Sequence, residues 1–433
     1  MAAHGLRQRS RSEAERSGRE SVAELSRRDE ILQAASRLIA ASGLRTSLQQ
    51  ITEAADILPG SLYHHFRSKD EILVELMRRY HAELDRIGQQ AELALDRPDY
   101  QPGRERVVEF GGQVAVAAVR HQAALQLTFY ETPSVSAELI ELVQRPPAQL
   151  RQAMLDTLRA IRWAGGLRPG LDLPSVADRE CQTMLHIGLD VIAQHAPPQE
   201  AAYVFGQILL DGLATGRADD VSLDASPAFT AADQVVRTWV DQPQPEPADT
   251  AGRVRAAART EFARRGFETT TLRDIASAAG VGLGTVHRLI GSKDEFLADI
   301  MRSFGQRVAT GWASIFQSGS TPVEMLDAMT WININTLYHF PDEFKIQLAW
   351  LRQAPPGAIE PGWSFSQQLG RLTGLLADGI AAGEIRPGIC PADLLARCVI
   401  TVQWIPENIL TELGTRRALL LARDTVLRGI AVR

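Results

Sequence analysis

The sequence predicts an all-α protein built from two tandem copies of one helical unit, and three observations predict it. Apolar residues recur at helical spacing, with no convincing alternating stretch. Short motifs recur in the same order in both halves of the chain. The composition, 433 residues with 45% hydrophobic, 23% charged and 6% aromatic side chains, is that of an ordinary folded chain long enough for several cores. Collagen-like, coiled-coil rod and disordered classes are thereby excluded. No stretch approaches the ~18 apolar residues of a membrane span, and the Arg- and Glu-rich start lacks the apolar core of a signal peptide. Cys181, Cys390 and Cys398 are odd in number and at no metal-ligand spacing, so they read as packing residues in a reducing compartment. A cytoplasmic protein with no membrane association, metal or cofactor is expected.

The repeat is explicit in the residues. Setting Ile51 against Ile275 brings Ala54 and Ala55 onto Ala278 and Ala279, and Gly60 onto Gly284. The same register lays Ser68-Lys69-Asp70-Glu71 on Ser292-Lys293-Asp294-Glu295 and Leu73 on Leu297. Upstream, Ala34, Ala35 and Gly43 match Ala257, Ala258 and Gly266 after a one-residue shift. Downstream, Ala164-Gly165 and Arg168-Pro169-Gly170 match Ala382-Gly383 and Arg386-Pro387-Gly388. The chain is a duplication of a ~210-residue unit. Between the copies Asp241 to Asp249 is proline-rich and polar, a semi-rigid spacer.

Each element follows from local rules. Ile31, Ala34, Ala35, Leu38 and Ile39 form one buried helical face, and Gly43 stops that helix. Ser47 with Gln50 reads as a capping box opening a short helix through Ala55; Asp56 takes a turn, and Pro59 suits a first helical position. Ser68 with Glu71, and Ser292 with Glu295, cap longer helices. Helix, tight turn and helix over Leu48 to Phe66 is the plan by which a second helix enters the DNA major groove. Charge agrees. The chain is −6 overall, yet residues 1–80 hold 13 basic and 11 acidic side chains and residues 251–307 hold 10 and 6. Two of the three lysines, Lys69 and Lys293, occupy the matched position.

At these residues both copies resemble the DNA-binding domain of the tetracycline-repressor (TetR) family, over ~47 residues each. The resemblance implies that Tyr63 hydrogen-bonds a phosphate and that Lys69 and its helix N-terminus meet another. Base readout falls to Pro59, Gly60 and Ser61, flanked by His64 and Gln49, with Ser47 beside them. The corresponding residues of the second copy are Thr271, Arg273, Leu283, Gly284, Thr285, His287, Arg288 and Lys293. That copy departs from the pattern, with His287-Arg288-Leu289-Ile290 in place of Tyr63-His64-His65-Phe66 and Arg273 in place of Gln49. It either contacts DNA with another preference or is a degenerate scaffold. The first copy has Leu58 where the family usually has serine. The implied domains are a flexible arm 1–26, a helix-turn-helix domain 27–79, a helical ligand and dimerisation bundle 80–215, a linker 216–250, a second helix-turn-helix domain 251–304 and a second bundle 305–433. In the arm, Arg7, Arg9 and Arg11 suit either phosphate or minor-groove contact or a solvated tail.

Family members are homodimers on near-palindromes, so the two copies are expected to pack as an intrachain pseudo-dimer on an operator with unlike half-sites. A true homodimer of tandem chains, with four modules, is the alternative. The bundles are expected to enclose a small, apolar effector of sterol, fatty acyl or aromatic class. Candidate pocket residues are Phe129, Trp163 and His186 in the first bundle, and Trp331, Tyr338, Trp350 and Trp404 in the second; core packing competes for each. His195 and His339 read as structural histidines. A ligand-responsive repressor is expected, with two rivals. Gly280 to Thr285 superficially suggests a phosphate loop, but no strand precedes it, and no Walker lysine, nucleophile elbow or zinc-binding histidine pair supports catalysis. A ligand- or protein-binding scaffold without operator binding is the second rival, separable by salt-dependent, sequence-selective DNA retention.

Overall fold

Helix α1, residues 27–42, forms because Ile31, Ala34, Ala35 and Ile39 share one face; all four are buried, and Leu38 lies half-buried at its edge. Gly43 follows at φ +67° and ends it. The computed structural model describes residues 27–43, 46–128, 136–190, 196–216, 218–241, 249–353, 360 and 365–432. The N-terminal arm with Arg7, Arg9 and Arg11, Phe129, His195 and most of the proline-rich spacer lie outside the described residues. Among the described residues all regular elements are helices, with two isolated β-bridges.

The chain divides into two compact units, one joining residues up to Tyr80 with His121–Arg145, the other joining His81–Arg120 with Pro146–Arg433. The first unit holds α1, α2 (Leu48–Ala54), α3 (Pro59–His65) and the first turns of α4 (Lys69–Leu95). Helix α5 (Arg104–Arg120) belongs to the second unit, while α6 (Gln122–Leu127) and α7 (Ala137–Gln144) return to the first. The Gln126 amide donates to the Ala40 carbonyl at 3.2 Å, tying α6 to α1, and Arg78 pairs with Glu138, tying α4 to α7. These two helices therefore depart from the expected first bundle of 80–215 and pack with the first DNA-binding domain.

In the second unit α5 packs with α8 (Ala148–Trp163), α9 (Leu173–Asp190) and α10 (Pro198–Asp211). The expected linker 216–250 is helical over most of its described length, as α11 (Asp220–Asp224) and α12 (Pro227–Asp241). Ala228, Ala232, Val236 and Trp239 line one face of α12 and are buried. The later helices are α13 (Thr250–Arg265), α14 (Leu272–Ala279), α15 (Leu283–Leu289), α16 (Lys293–Phe316), α17 (Pro322–His339), α18 (Pro341–Gln353), α19 (Phe365–Ala381), α20 (Ala392–Val402) and α21 (Glu407–Ala422), followed by a π-helical turn, Arg423–Arg428. The apolar face of α12 packs on α16 and α17, which makes it part of the second bundle rather than a spacer.

The two copies meet along α9 and α10 on one side and α20, α21 and the π-turn on the other. Their closing segments exchange reciprocal backbone hydrogen bonds: Leu213 N–H to the Val426 carbonyl (2.8 Å) mirrors Ile430 N–H to Leu209 (2.9 Å), and Ala214 to Leu427 (2.9 Å) mirrors Ala431 to Leu210 (2.9 Å). Arg168 N–H to Ile430 (2.9 Å) likewise mirrors Arg386 N–H to Leu213 (2.8 Å). Residue i meets j while the counterpart of j meets the counterpart of i, the signature of an isologous two-fold contact. The arginine of each Arg-Pro-Gly segment matched in sequence thus bonds to the opposite copy at this seam. At its centre Gly212 and Gly429 cross so closely that a Cβ on Gly212 would lie 2.3 Å from the Leu427 carbonyl oxygen.

Charged groups are buried here too. Arg423, with 0% of its side chain exposed, donates to Asp327 on α17 at 2.8 Å and pairs with Asp220 (3.0 Å) and Asp224 (2.7 Å) on α11. Burial opposes its charge, but hydrogen bonds and attraction from the three carboxylates outweigh it and hold its pKa above the ordinary value. Arg179 on α9 donates to Thr425 and to the Leu421 and Val402 carbonyls, stitching the first copy to the second.

Candidate nucleic-acid interface

Each helix-turn-helix is set by capping, turn and burial. The Ser47 hydroxyl accepts from Gln50 N–H at 3.2 Å and the Gln50 side chain accepts from Ser47 N–H at 2.8 Å, a complete capping box at α2. Thr271 and Asp274 make the same box at α14, and the bonds from Thr271 hold the Asp274 carboxyl below its ordinary pKa. The turn needs a left-handed residue, supplied by Gly280 at φ +65° and by Asp56 at φ +51°, a conformation an aspartate tolerates better than most side chains. Leu62 and Phe66 bury the inner face of α3, and Val286 and Ile290 bury that of α15, so isoleucine fills the packing place of the phenylalanine. Arg28 stacks 4.2 Å from the Phe66 ring and donates to the His65 carbonyl at 2.8 Å.

This burial leaves the outer faces free in matched fashion. Pro59, Gly60, Tyr63 and His64 are exposed on α3, with Ser61 half-buried; Leu283, Gly284, His287 and Arg288 are exposed on α15, with Thr285 half-buried. A Cβ on Gly60 or Gly284 would meet nothing within 4 Å, so the backbone there is open to a close-approaching partner. Ser47, Gln49, Thr271 and Arg273 are exposed at the starts of α2 and α14, where the Gln49 amide donates to Glu53 at 2.9 Å. Leu58, the N-cap of α3, is 78% exposed.

The two matched lysines are both half-buried. Burial lowers the Lys69 pKa, opposed by Asp70. The Lys293 ammonium lies 4.3 Å from the Phe267 ring centre and donates to the Phe267 (2.5 Å) and Thr270 (3.1 Å) carbonyls, bracing the loop between α13 and α14. Sequence matching could align these side chains but not show what Nζ touches. At the following helix the Ser292–Glu295 box is complete, whereas at α4 the Ser68 hydroxyl accepts from Glu71 N–H and the Glu71 carboxylate accepts from Arg67 N–H.

The second bundle contains a cleft with about 90 Å³ of space for ligand or water, lined by residues of α16 to α20 and by Trp404. Of the expected pocket residues among those described, only Trp404 lines it. Trp163 is 91% exposed at the end of α8 and lines a separate, more open pocket with Arg159, Arg162, Leu171 and Asp172. Trp331 donates to Asp233 at 3.3 Å and packs 5.6 Å from Phe229, between α17 and α12, and Tyr338 is 59% exposed. Trp350 is half-buried away from the lining. His186 meets the Trp404 ring edge-on at 6.4 Å, so a first-copy residue backs the cleft wall. Periodicity could not distinguish these outcomes, because it reports a helix face and not what faces it. Helix α18, which supplies Phe344, Gln347, Leu348 and Leu351 to the lining, also packs on α13 through Thr260 to Asp342 (2.9 Å) and Arg259 to Glu343 (3.5 Å). Helix α18 thus touches both the cleft and the first helix of the second DNA-binding domain.

Comparison with known proteins agrees with this geometry. The family model described as bacterial regulatory proteins, tetR family, matches twice, at residues 31–76 and 254–300. The HTH-type transcriptional repressor KstR2 of Mycolicibacterium smegmatis is 30% identical over 154 residues, 35% of this chain and 72% of that protein. KstR2 of Mycobacterium tuberculosis is 27% identical over 159 residues, 36% of this chain and 78% of that protein. The probable acrEF/envCD operon repressor of Escherichia coli is 26% identical over 154 residues, 35% of this chain and 70% of that protein. A solved structure of the M. tuberculosis ketosteroid transcriptional regulator KstR2 aligns with 44% of this chain and 98% of its own, at 23% identity and a TM-score of 0.35. With one DNA-binding motif at each matched position and a helical bundle after each, the chain belongs to the tetR family of bacterial regulatory proteins and carries the family's N-terminal region twice.

Proposed function

We propose that the chain is a ligand-responsive repressor that binds DNA as the single-chain equivalent of a homodimer, reading an operator with two unlike half-sites and acting in the cytoplasm by occupancy rather than catalysis. The observation that carries this reading is the matched exposure of two different recognition surfaces. The outer face of α3 presents Pro59, Gly60, Tyr63 and His64, and that of α15 presents Leu283, Gly284, His287 and Arg288. Tyr63 suits a phosphate hydrogen bond; Arg288 and Arg273 suit phosphates or guanine edges. Two surfaces of unlike chemistry have no reason to prefer two identical half-sites. The reciprocal seam supports the single-chain part, because the two copies already make an isologous contact within one chain.

The effector reading rests on α18, which borders the cleft and packs on α13. A ligand that prefers one placement of α18 shifts the second DNA-binding module by its differential affinity for the two states, and only by that.

The test is selection of random duplexes by the purified chain, followed by footprinting with wild type, Tyr63→Phe and Arg288→Gln. An asymmetric site is expected, each variant weakening protection of its own half, with Arg288→Gln reducing the log-log salt slope by about one. A palindrome indifferent to Arg288→Gln would establish a degenerate second module, and no enrichment at all would refute the regulator reading.

A further inference from the structure

We propose that the cleft of the second bundle takes an amphipathic anion, a carboxylate carried on an apolar or aromatic body, with Arg397 and the Trp312 indole holding its charged head. This deepens the effector reading above and rests on it. It also adds a charged head to the small, apolar effector of sterol, fatty acyl or aromatic class expected from the sequence.

The chemistry of the lining is one-sided. Arg397 on α20 is its only ionisable residue among those described; no aspartate or glutamate lines the cleft. The guanidinium is half-buried, and among the described residues no carboxylate forms an ion pair with it. Burial pulls its pKa down, opposed by the exposed Asp393 one turn earlier. A cation in an apolar wall is costly unless an anion or hydrogen-bond acceptors meet it.

A second, independent group has the same need. Trp312 on α16 is 2% exposed, lines the cleft, and its Nε1–H is buried with no acceptor among the described residues. Buried tryptophan N–H groups usually find a partner. The remaining polar groups cannot serve. The Thr336 and Thr401 hydroxyls donate to carbonyls of their own helices, Ile332 at 2.7 Å and Arg397 at 3.1 Å, and the Asn333 amide donates to Gln403 at 3.3 Å. The cleft therefore offers unspent donors, with Gln347 and Gln368 beside them, inside walls made by Phe344, Leu348, Leu351, Phe365 and Trp404. Donors in excess within apolar walls fit a carboxylate head on an apolar body. A neutral apolar molecule of the same size would leave both Arg397 and Trp312 unsatisfied.

The experiment titrates the full chain with matched pairs, octanoate against 1-octanol and 1-naphthoate against 1-naphthol, by calorimetry. The acid of at least one pair should bind about tenfold tighter than its alcohol, the gap expected of a charge-assisted hydrogen bond. Arg397→Gln should abolish that preference, bringing the acid down to the affinity of its alcohol. Trp312→Phe, which keeps the ring and removes the N–H, should weaken only the acid, by roughly fivefold. Equal affinity for acid and alcohol, a preference that survives Arg397→Gln, or no binding of any of the four probes would each overturn the proposal. DNA retention by the same preparations separates the two readings: an acid preference without DNA retention refutes the regulator and leaves the cleft chemistry standing, and the converse refutes the cleft chemistry alone.

Discussion

Replacing Gly212 by alanine should cost the second unit about 2–6 kcal/mol, and two terms make up that figure. Gly212 holds φ +69° and ψ 165°, and its counterpart Gly429 holds φ +72° and ψ 159°, a region essentially reserved for glycine. An L-residue there costs roughly 1–3 kcal/mol from conformation alone. The new Cβ would also lie 2.3 Å from the Leu427 carbonyl oxygen and 2.4 Å from Gly429 N, backbone atoms that cannot rotate aside. The seam would have to open by about 1 Å, at a further cost of roughly 1–3 kcal/mol as in other overpacked contacts. Gly165→Ala is the control: it also sits at positive φ, +75°, yet its Cβ would meet nothing within 4 Å, so it carries a positive-φ cost without the collision. All seven tryptophans lie between residues 163 and 404, within the second unit, so their fluorescence in urea reports on that unit. Gly212→Ala and Gly429→Ala should each lower the midpoint well beyond Gly165→Ala. Because an opening that admits one methyl admits the other, the double variant should cost less than the sum. If Gly212→Ala unfolds with the same midpoint as Gly165→Ala, the reciprocal crossing of the two copies is wrong.

Two further predictions concern buried charge. Asp327→Ala should destabilise the second unit by about 3 kcal/mol in the same urea assay, because it leaves the fully buried Arg423 short of its most buried partner, whereas Asp224→Ala, at a partly exposed position, should cost under about 1 kcal/mol; equal small losses would mean that Arg423 is hydrated. Glu180 on α9 is buried with one carboxyl oxygen unpartnered among the described residues, and burial, opposed by the adjacent Arg179, pushes its pKa from an ordinary 4.5 up to about 8. The folded chain then holds a proton that the unfolded chain releases, so this group's contribution to stability is full below pH 4.5 and is lost as pH rises to about 8. Glu180→Gln should melt with wild type at pH 5 and above it at pH 8.5; a variant less stable than wild type at pH 8.5 would show the carboxylate to be ionised and favourably held.

The helix-turn-helix was legible residue by residue because every signal in it is local. Ser47 and Gln50 cap each other across one turn, Asp56 and Gly280 mark the same left-handed position, and the 3.6-residue period separates Leu62 and Phe66 from Tyr63 and His64. The linker shows where local signals stop. Proline and acid residues after Asp241 mark a real break, but the stripe of Ala228, Ala232, Val236 and Trp239 just before it has the period of a packed helix. The pocket aromatics show a different limit. Trp163, Trp331 and Tyr338 all sit at helical positions, and nothing in a period states whether the facing surface is solvent, a neighbouring helix or a cleft.

The sequence by itself determined the duplication, the all-helical class, the two DNA-binding motifs and which of their residues face outward, since each depends on contacts within a turn or two of helix. Only the tertiary structure decided that the repeated Arg-Pro-Gly segments cross into the opposite copy, that Lys293 braces a loop, that Arg423 is buried among three carboxylates, and that Arg397 and Trp312 face a common cleft. Those outcomes depend on groups tens to hundreds of residues apart, brought together by burial of apolar faces that many pairings could satisfy equally well in a one-dimensional pattern.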